Sequence, residues 1–234
     1  MILSSASLHP SVALLFDRAV PVGNAYWKKR QEYLPPSPGY YFMPLFYDLL
    51  LKSGVTSERV LDEKHLLVAE GVLDSVAKFE FHEISWTEHL VNCRCRLFER
   101  GFTVEHVDEV ERELVFRPFE IIPAEYTALN RANTFLYATG FVSSDYAHVR
   151  QLWESFMPLI LFLDDVEDLD ADRARGEENA LLQGVSIEES FFALHPILKR
   201  LLLRIQPLNP AVFAHLENLR QQAFQKGFVQ LIRA

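Results

Sequence analysis

The sequence predicts an all-α fold, a single domain over residues 1–234 built from nine or ten helices. Three observations predict it. Apolar residues recur at three- and four-residue spacing along most of the chain, and few stretches alternate. Glycine is scarce, at 9 of 234 residues, whereas sandwiches and barrels need many turn glycines. Helix start and stop signals punctuate the periodic stretches. A hydrophobic share of 49% supplies a sizeable core and speaks against disorder.

In chain order, Val12 to Val20 is a short apolar helix stopped by Pro21 and Gly23, and Asn24–Tyr33 is polar, aromatic and helical. Pro35-Pro36-Ser37-Pro38-Gly39 is the clearest break, read as a rigid turn within one fold because too little chain precedes it to form a domain. Tyr40 to Lys52 is an aromatic- and leucine-rich helix with Gly54 beyond its end, the residue best suited to a left-handed cap. Ser57 to about Phe81 follows at helical period. Ser85-Trp86-Thr87-Glu88 is a capping box opening a helix to Gly101. Thr103–Arg117 is closed by Pro118, and Pro123–Thr139 by Gly140. Ser144 to about Asp172 reads as the longest helix, with Pro158 inside it as a kink. Ser186-Ile187-Glu188-Glu189 is a second capping box, starting a helix to about Ile205 that Pro196 can kink. Pro210 to about Ile232 closes the chain.

Composition excludes some functions. A net charge of −9 speaks against nucleic acid as a partner, since that needs basic faces. Cys93 and Cys95, two apart on a helix, point to different sides, cannot bridge well and are both read as buried apolar residues. A reducing compartment fits them. The N-terminus lacks the basic start of a signal peptide. No apolar run approaches the ~18 residues of a membrane span, so the expectation is a cytoplasmic protein.

The chemistry concentrates in one stretch. Phe156-Met157-Pro158-Leu159-Ile160-Leu161-Phe162-Leu163 is apolar on every side of a helix, which predicts burial all round. It runs into carboxylates: Asp164 to Glu178 carries eight acids against Arg173 and Arg175, or −6 of the chain's −9. Asp164, Asp165 and Asp168 lie three and four apart, so their side chains are neighbours at roughly 5–6 Å. Two carboxylates at that distance repel by about 3 kcal/mol at an effective dielectric near 20. A compensating cation is therefore expected, and a hard divalent metal prefers such oxygen ligands. The alternative is a solvated acidic helix end.

Other candidates are weaker. His82-Glu83 and His89 are spaced seven apart, not the four that a zinc protease helix needs. No phosphate loop, dinucleotide loop or nucleophile elbow is present. Glu70 and Asp74, followed by Glu80 and Glu83, offer a second acidic helix that could face the first, although an ordinary amphipathic surface explains them too.

The Asp-Asp-x-x-Asp of Asp164, Asp165 and Asp168, entered from an apolar helix, resembles the second aspartate-rich motif of the trans-polyprenyl diphosphate synthases. The same residues satisfy the Asp-x-x-x-Asp form of squalene and phytoene synthases. Both belong to the class I isoprenoid synthase superfamily. The stretch Arg173 to Leu182 is similar to the loop after that motif, and Pro38-Gly39-Tyr40-Tyr41-Phe42-Met43-Pro44-Leu45 to the Gly-Lys-x-x-Arg-Pro segment. The resemblance covers residues 36–205. Three departures stand out: Tyr40 and Met43 replace the basic pair of that segment, the first aspartate-rich motif is absent, with only Glu70, Asp74, Glu80 and Glu83 in its place, and Ile160-Leu161 stands where the family has Phe-Gln before the second motif.

What the resemblance implies is a set of helices around a central cavity and Mg²⁺-dependent prenyl transfer or cyclisation of an allylic isoprenoid diphosphate. Asp164, Asp165 and Asp168 would be the metal ligands, Arg173 and Arg175 the diphosphate ligands, and a homodimer a further expectation. The alternative is a non-catalytic relative that keeps the fold as a binding or interaction protein.

Overall fold

The computed structural model describes residues 8–12, 42–140 and 142–233. Within them every regular element is helical, as expected of an all-α fold. The elements are α1 (Phe42–Lys52), α2 (Ser57–Val60), α3 (Glu63–Glu80), α4 (Trp86–Glu99), α5 (Val104–Val110), a π turn (Glu111–Val115) and a 3-10 helix (Thr127–Ala138). Then come α6 (Tyr146–Glu154), α7 (Met157–Arg175), a 3-10 turn (Ala180–Leu182), α8 (Ile187–Leu202) and α9 (Pro210–Arg233). No described helix is long and apolar enough to cross a membrane. The helix expected at Asn24–Tyr33, the Pro35–Gly39 break and the segment Pro38–Tyr41 lie outside the described residues, as does the Val12–Val20 helix beyond Val12.

The described residues gather into two compact units, one holding 8–12, 42–117, 133–140 and 142–150, the other 118–132 and 151–233. In the first unit α1 buries every residue from Phe42 to Leu50, including Asp48, which pairs with Lys52 at 2.8 Å. Gly54 takes the left-handed conformation beyond α1 at φ 101°, with the Val55 N–H on the Leu50 carbonyl. The Ser57–Phe81 stretch divides in two. The chain leaves helical geometry at Leu61–Asp62, and the His65 ring nitrogen lies 2.7 Å from the Arg59 carbonyl that the break exposes. On α3, Val68, Val72, Leu73 and Val76 face inward, as their spacing predicts.

The Ser85 capping box forms reciprocally: Ser85 Oγ accepts from the Glu88 N–H at 3.2 Å and Glu88 accepts from the Ser85 N–H at 2.7 Å. On α4, His89 and Cys93 are buried and Ser75 Oγ sits 2.9 Å from the His89 ring. Burial holds the His89 pKa down at about 4 and pushes the Cys93 thiol up to about 12, which keeps both side chains uncharged at neutral pH. Cys95 is exposed, correcting the expectation that both cysteines are buried. After α5 the backbone widens into the π turn, which places Glu111 inside the unit, accepting from Tyr137 and Arg94.

Residues 123–139, expected as an α-helix, instead wind as a 3-10 helix from Thr127. Ala128, Leu129 and every residue from Ala132 to Ala138 are buried, so this helix has no continuous solvent face over its second half.

The second unit is built on α7, α8 and α9. The expected long helix from Ser144 to Asp172 is two helices, broken at Ser155–Phe156. Ser155 Oγ donates to the Leu152 carbonyl at 2.5 Å and Phe156 leaves helical geometry at φ −139°. Pro158 therefore stands in the first turn of α7, where its missing N–H has no helical partner to lose, and not at an interior kink. The octet Phe156–Leu163 is buried on all sides, as its composition predicts. Phe191 of α8 stacks on Phe224 of α9 at 5.1 Å and meets Phe162 of α7 at 5.6 Å. Ser186 caps α8 by accepting from the Glu189 N–H, and Asn209 caps α9 by accepting from the Val212 N–H.

Candidate functional site

The acids of α7 separate onto two faces. Asp165 and Asp172, seven apart and so two turns along one side, are buried together with Val166 and Leu169. Asp164, Glu167, Asp168 and Asp170 point outward. Sequence alone treats them as one cluster; the helix assigns them two jobs.

The buried pair fixes the chain beyond the helix. Gly176 ends α7 in the left-handed conformation at φ 68°. Asn179 then folds back: its side-chain amide donates to the Asp165 carbonyl at 2.8 Å and to the Asp172 carboxylate at 2.9 Å. The Ala180 N–H donates to Asp165 Oδ2 at 2.9 Å, and Asn179 Oδ1 accepts from the Leu181 N–H at 3.0 Å. Further on, Gln183 accepts from the Ala128 N–H at 3.0 Å and donates to Thr127 Oγ1 at 2.8 Å. Gly184 donates to Ser190 Oγ at 3.1 Å; a Cβ there would lie 2.2 Å from that oxygen, so the approach needs glycine.

The compensating cation is a protein group. Arg131 donates through Nη2 to Asp165 Oδ1 at 2.8 Å and to Asp164 Oδ2 at 3.1 Å, and through Nη1 to the Ala128 carbonyl at 3.1 Å. Burial works against the Arg131 charge, but Asp165 and Asp164 outweigh it and its pKa is raised. Burial also pushes Asp165 up, against the pull of Arg131 and the Ala180 N–H. Asp164, with a side chain 53% exposed, is nevertheless pushed up to about 6 by desolvation, with Asp165 and Asp168 adding repulsion against the pull of Arg131. One guanidinium is thus shared by two carboxylates, Asp164 and Asp165.

The other sequence-derived candidates distribute as follows. Arg173 is exposed on the last turn of α7. Arg175 is engaged by Asp172 at 3.1 Å and Glu177 at 2.9 Å. Glu70, Asp74 and Glu80 lie on α3 in the other unit, where Asp74 pairs with Lys78 at 2.7 Å, and Glu83 is exposed in the turn that follows. Among the described residues no group of three or more His, Cys, Asp or Glu side chains is arranged to hold a metal ion.

The donor set at α7 is carboxylate oxygen, the kind a hard divalent cation takes. Asp165 has both oxygens on protein donors. Asp164 and Asp168 lie one turn apart and exposed on the outer face of α7.

Two residues of this site escape a reading by motif, Arg131 and Asn179. Arg131 did leave a trace, as the lone Lys or Arg between Arg117 and Arg150. Asn179 left none. No family model, no curated protein and no solved structure matches the chain.

Proposed function

We propose that the outer acids of α7 bind Mg²⁺ together with the diphosphate of an allylic isoprenoid substrate, for prenyl transfer or cyclisation. The observation that supports this most is the placement of the acids: Asp164 and Asp168 lie one turn apart on the exposed face of α7, and the one guanidinium beside them is shared between Asp164 and Asp165. Asp164 and Asp168 hold the cation, which when bound neutralises the developing charge on the departing diphosphate. Asp165 positions rather than ligates, fixing Arg131 on one side and the Ala180 backbone on the other. Arg131 and Arg173 supply charged N–H donors to the diphosphate oxygens, and such charge-assisted bonds are about twice as strong as neutral ones. Arg175, already shared between Asp172 and Glu177, is the weaker candidate. A carbocation formed as the carbon–oxygen bond breaks needs an apolar, water-free lining, and ring faces steady it.

A second reading, a helical binding protein without catalysis, is favoured by one observation: Arg131 already pairs with Asp164 and Asp165. Thermal melts separate the two. Wild type and Asp164→Ala/Asp168→Ala are compared with Mg²⁺ and inorganic diphosphate, alone and together. A ligand at 100 times its dissociation constant adds roughly 2.7 kcal/mol to stability. An upward shift in wild type, absent in the double variant, is the expected result. No shift in wild type at millimolar ligand leaves the binding-protein reading standing.

A further inference from the structure

Helix α8 has two faces. Ser190, Phe191, Leu194, Leu198, Leu201 and Leu202 are buried and share one side of it. The opposite side carries Glu189, Phe192, Pro196, Lys199, Arg200 and Leu203, all exposed. Leu203 continues this side, because its backbone is still right-handed at φ −58° and ψ −22°. Phe192 is 45% exposed, Leu203 46%, and Val185, just ahead of the cap, 91%. Apolar groups therefore stand open to solvent along the whole length of this side.

The charges on it are ordered. Glu188 and Glu189 occupy the first turn, Lys199 and Arg200 the last, and Arg204 follows just beyond. The helix dipole accounts for that order of signs, but not for the apolar residues in between. Among the described residues Glu188, Glu189, Arg200 and Arg204 form no ion pair. Roughly 18 Å along the axis separates Glu188 from Arg200, so the two ends cannot meet within one copy. A second α8 laid antiparallel across Pro196 satisfies both features. A two-fold axis there sets the acidic end of each copy against the basic end of the other and closes the apolar residues between them. A parallel pair would oppose like charges at both ends. The protein carries a net charge of −9, so two copies repel in general. On this face two acids meet three bases, and that repulsion is absent.

We propose that the outer face of α8 is a two-fold interface through which the protein pairs with a second copy of itself, α8 antiparallel to α8. Phe192, Pro196 and Leu203 supply the apolar contact; Glu188, Glu189, Arg200 and Arg204 set the direction. The interface stands apart from the metal–diphosphate reading of α7.

Sedimentation velocity of the full chain over a concentration series tests it. Wild type should dimerise; a monomer at concentrations on the order of 100 µM overturns the proposal and leaves the face to a different partner. Phe192→Glu should weaken the dimer by about tenfold or more, since it closes an unpaired charge into the contact. Phe192 also touches the rings of Phe191 and Phe224, so Leu203→Glu takes its place if that variant does not melt cooperatively. Charge reversal tests the direction. Glu188→Arg/Glu189→Arg and Arg200→Glu/Arg204→Glu should each dimerise about tenfold more weakly than wild type, and their equimolar mixture should recover a dimer with one copy of each. The first of these lowers the net negative charge, so general repulsion falls while the contact is lost. In a parallel pair each reversal would exchange one like-charge contact for another and change little. Variants that dimerise as wild type does, or a mixture no tighter than its parts, overturn the proposal.

Discussion

Asp164 and Asp165 are neighbours in the chain and strangers in environment. One is half exposed and shares a guanidinium; the other is buried, with every carboxylate oxygen on a protein donor. Replacing them should give opposite results. Asp165→Asn leaves Arg131 without its main counter-charge and weakens the tie to Ala180, a loss of about 2–3 kcal/mol by urea denaturation, reduced from the fully buried case because Arg131 is partly exposed. Asp168→Asn, on the outer face, should stay within about 0.5 kcal/mol. Asp164 adds a pH signature. Its folded pKa of about 6 lies above the unfolded value near 3.9, so the folded chain holds this proton more tightly. The stability it contributes is fully present below about pH 4 and is lost as pH rises through about 6. Measured against Asp164→Asn, wild type should lose ground across that window and be no more stable than the variant at about pH 7. A difference that does not change with pH would falsify this assignment.

At the scale of elements, two prolines on helices should behave in opposite ways. Pro158 sits buried in the first turn of α7, so Pro158→Ala gains no helical hydrogen bond and loses packing, a cost of about 1 kcal/mol. Pro196 is exposed inside α8, where it removes a hydrogen bond and crowds the preceding turn, so Pro196→Ala should stabilise by about 1–3 kcal/mol. Chemical denaturation of both variants checks the contrast. The same contrast shows what the sequence makes legible. Local signals read well: the Ser85 box, the Ser186 cap, Gly54 and the all-round burial of the octet depend on residues within a few positions of each other. The break at Ser155–Phe156 read poorly, because apolar spacing continues across it and only the backbone at Phe156 reveals it. The 3-10 helix read poorly as well, since burial is unbroken from Ala132 to Ala138 and leaves no solvent face whose period could tell three residues per turn from 3.6. Within the site, the acids and their adjacency were visible. Their counter-charge was not, because Arg131 lies 33 residues before Asp164 and no motif spacing links them.

For the whole molecule, each unit draws on separated parts of the chain. The unit carrying the acids takes 118–132 from upstream and 151–233 from downstream. A fragment beginning at residue 151 lacks Arg131, and it lacks the Thr127 and Ala128 groups that hold Gln183. It should keep helical far-ultraviolet dichroism but bind a hydrophobic dye and melt without a sharp transition, the behaviour of a chain whose specific packing is gone. A cooperative melt from that fragment would show the upstream segment to be dispensable. The Ala180 amide offers a different kind of readout. It belongs to a short turn beyond α7, yet its proton points at a carboxylate that water does not reach. Its hydrogen–deuterium exchange should be as slow as that of amides inside the neighbouring helices, and it should quicken whenever Asp165 lets go. One resonance in a loop thereby becomes a gauge of whether the latch beneath the acidic face is shut.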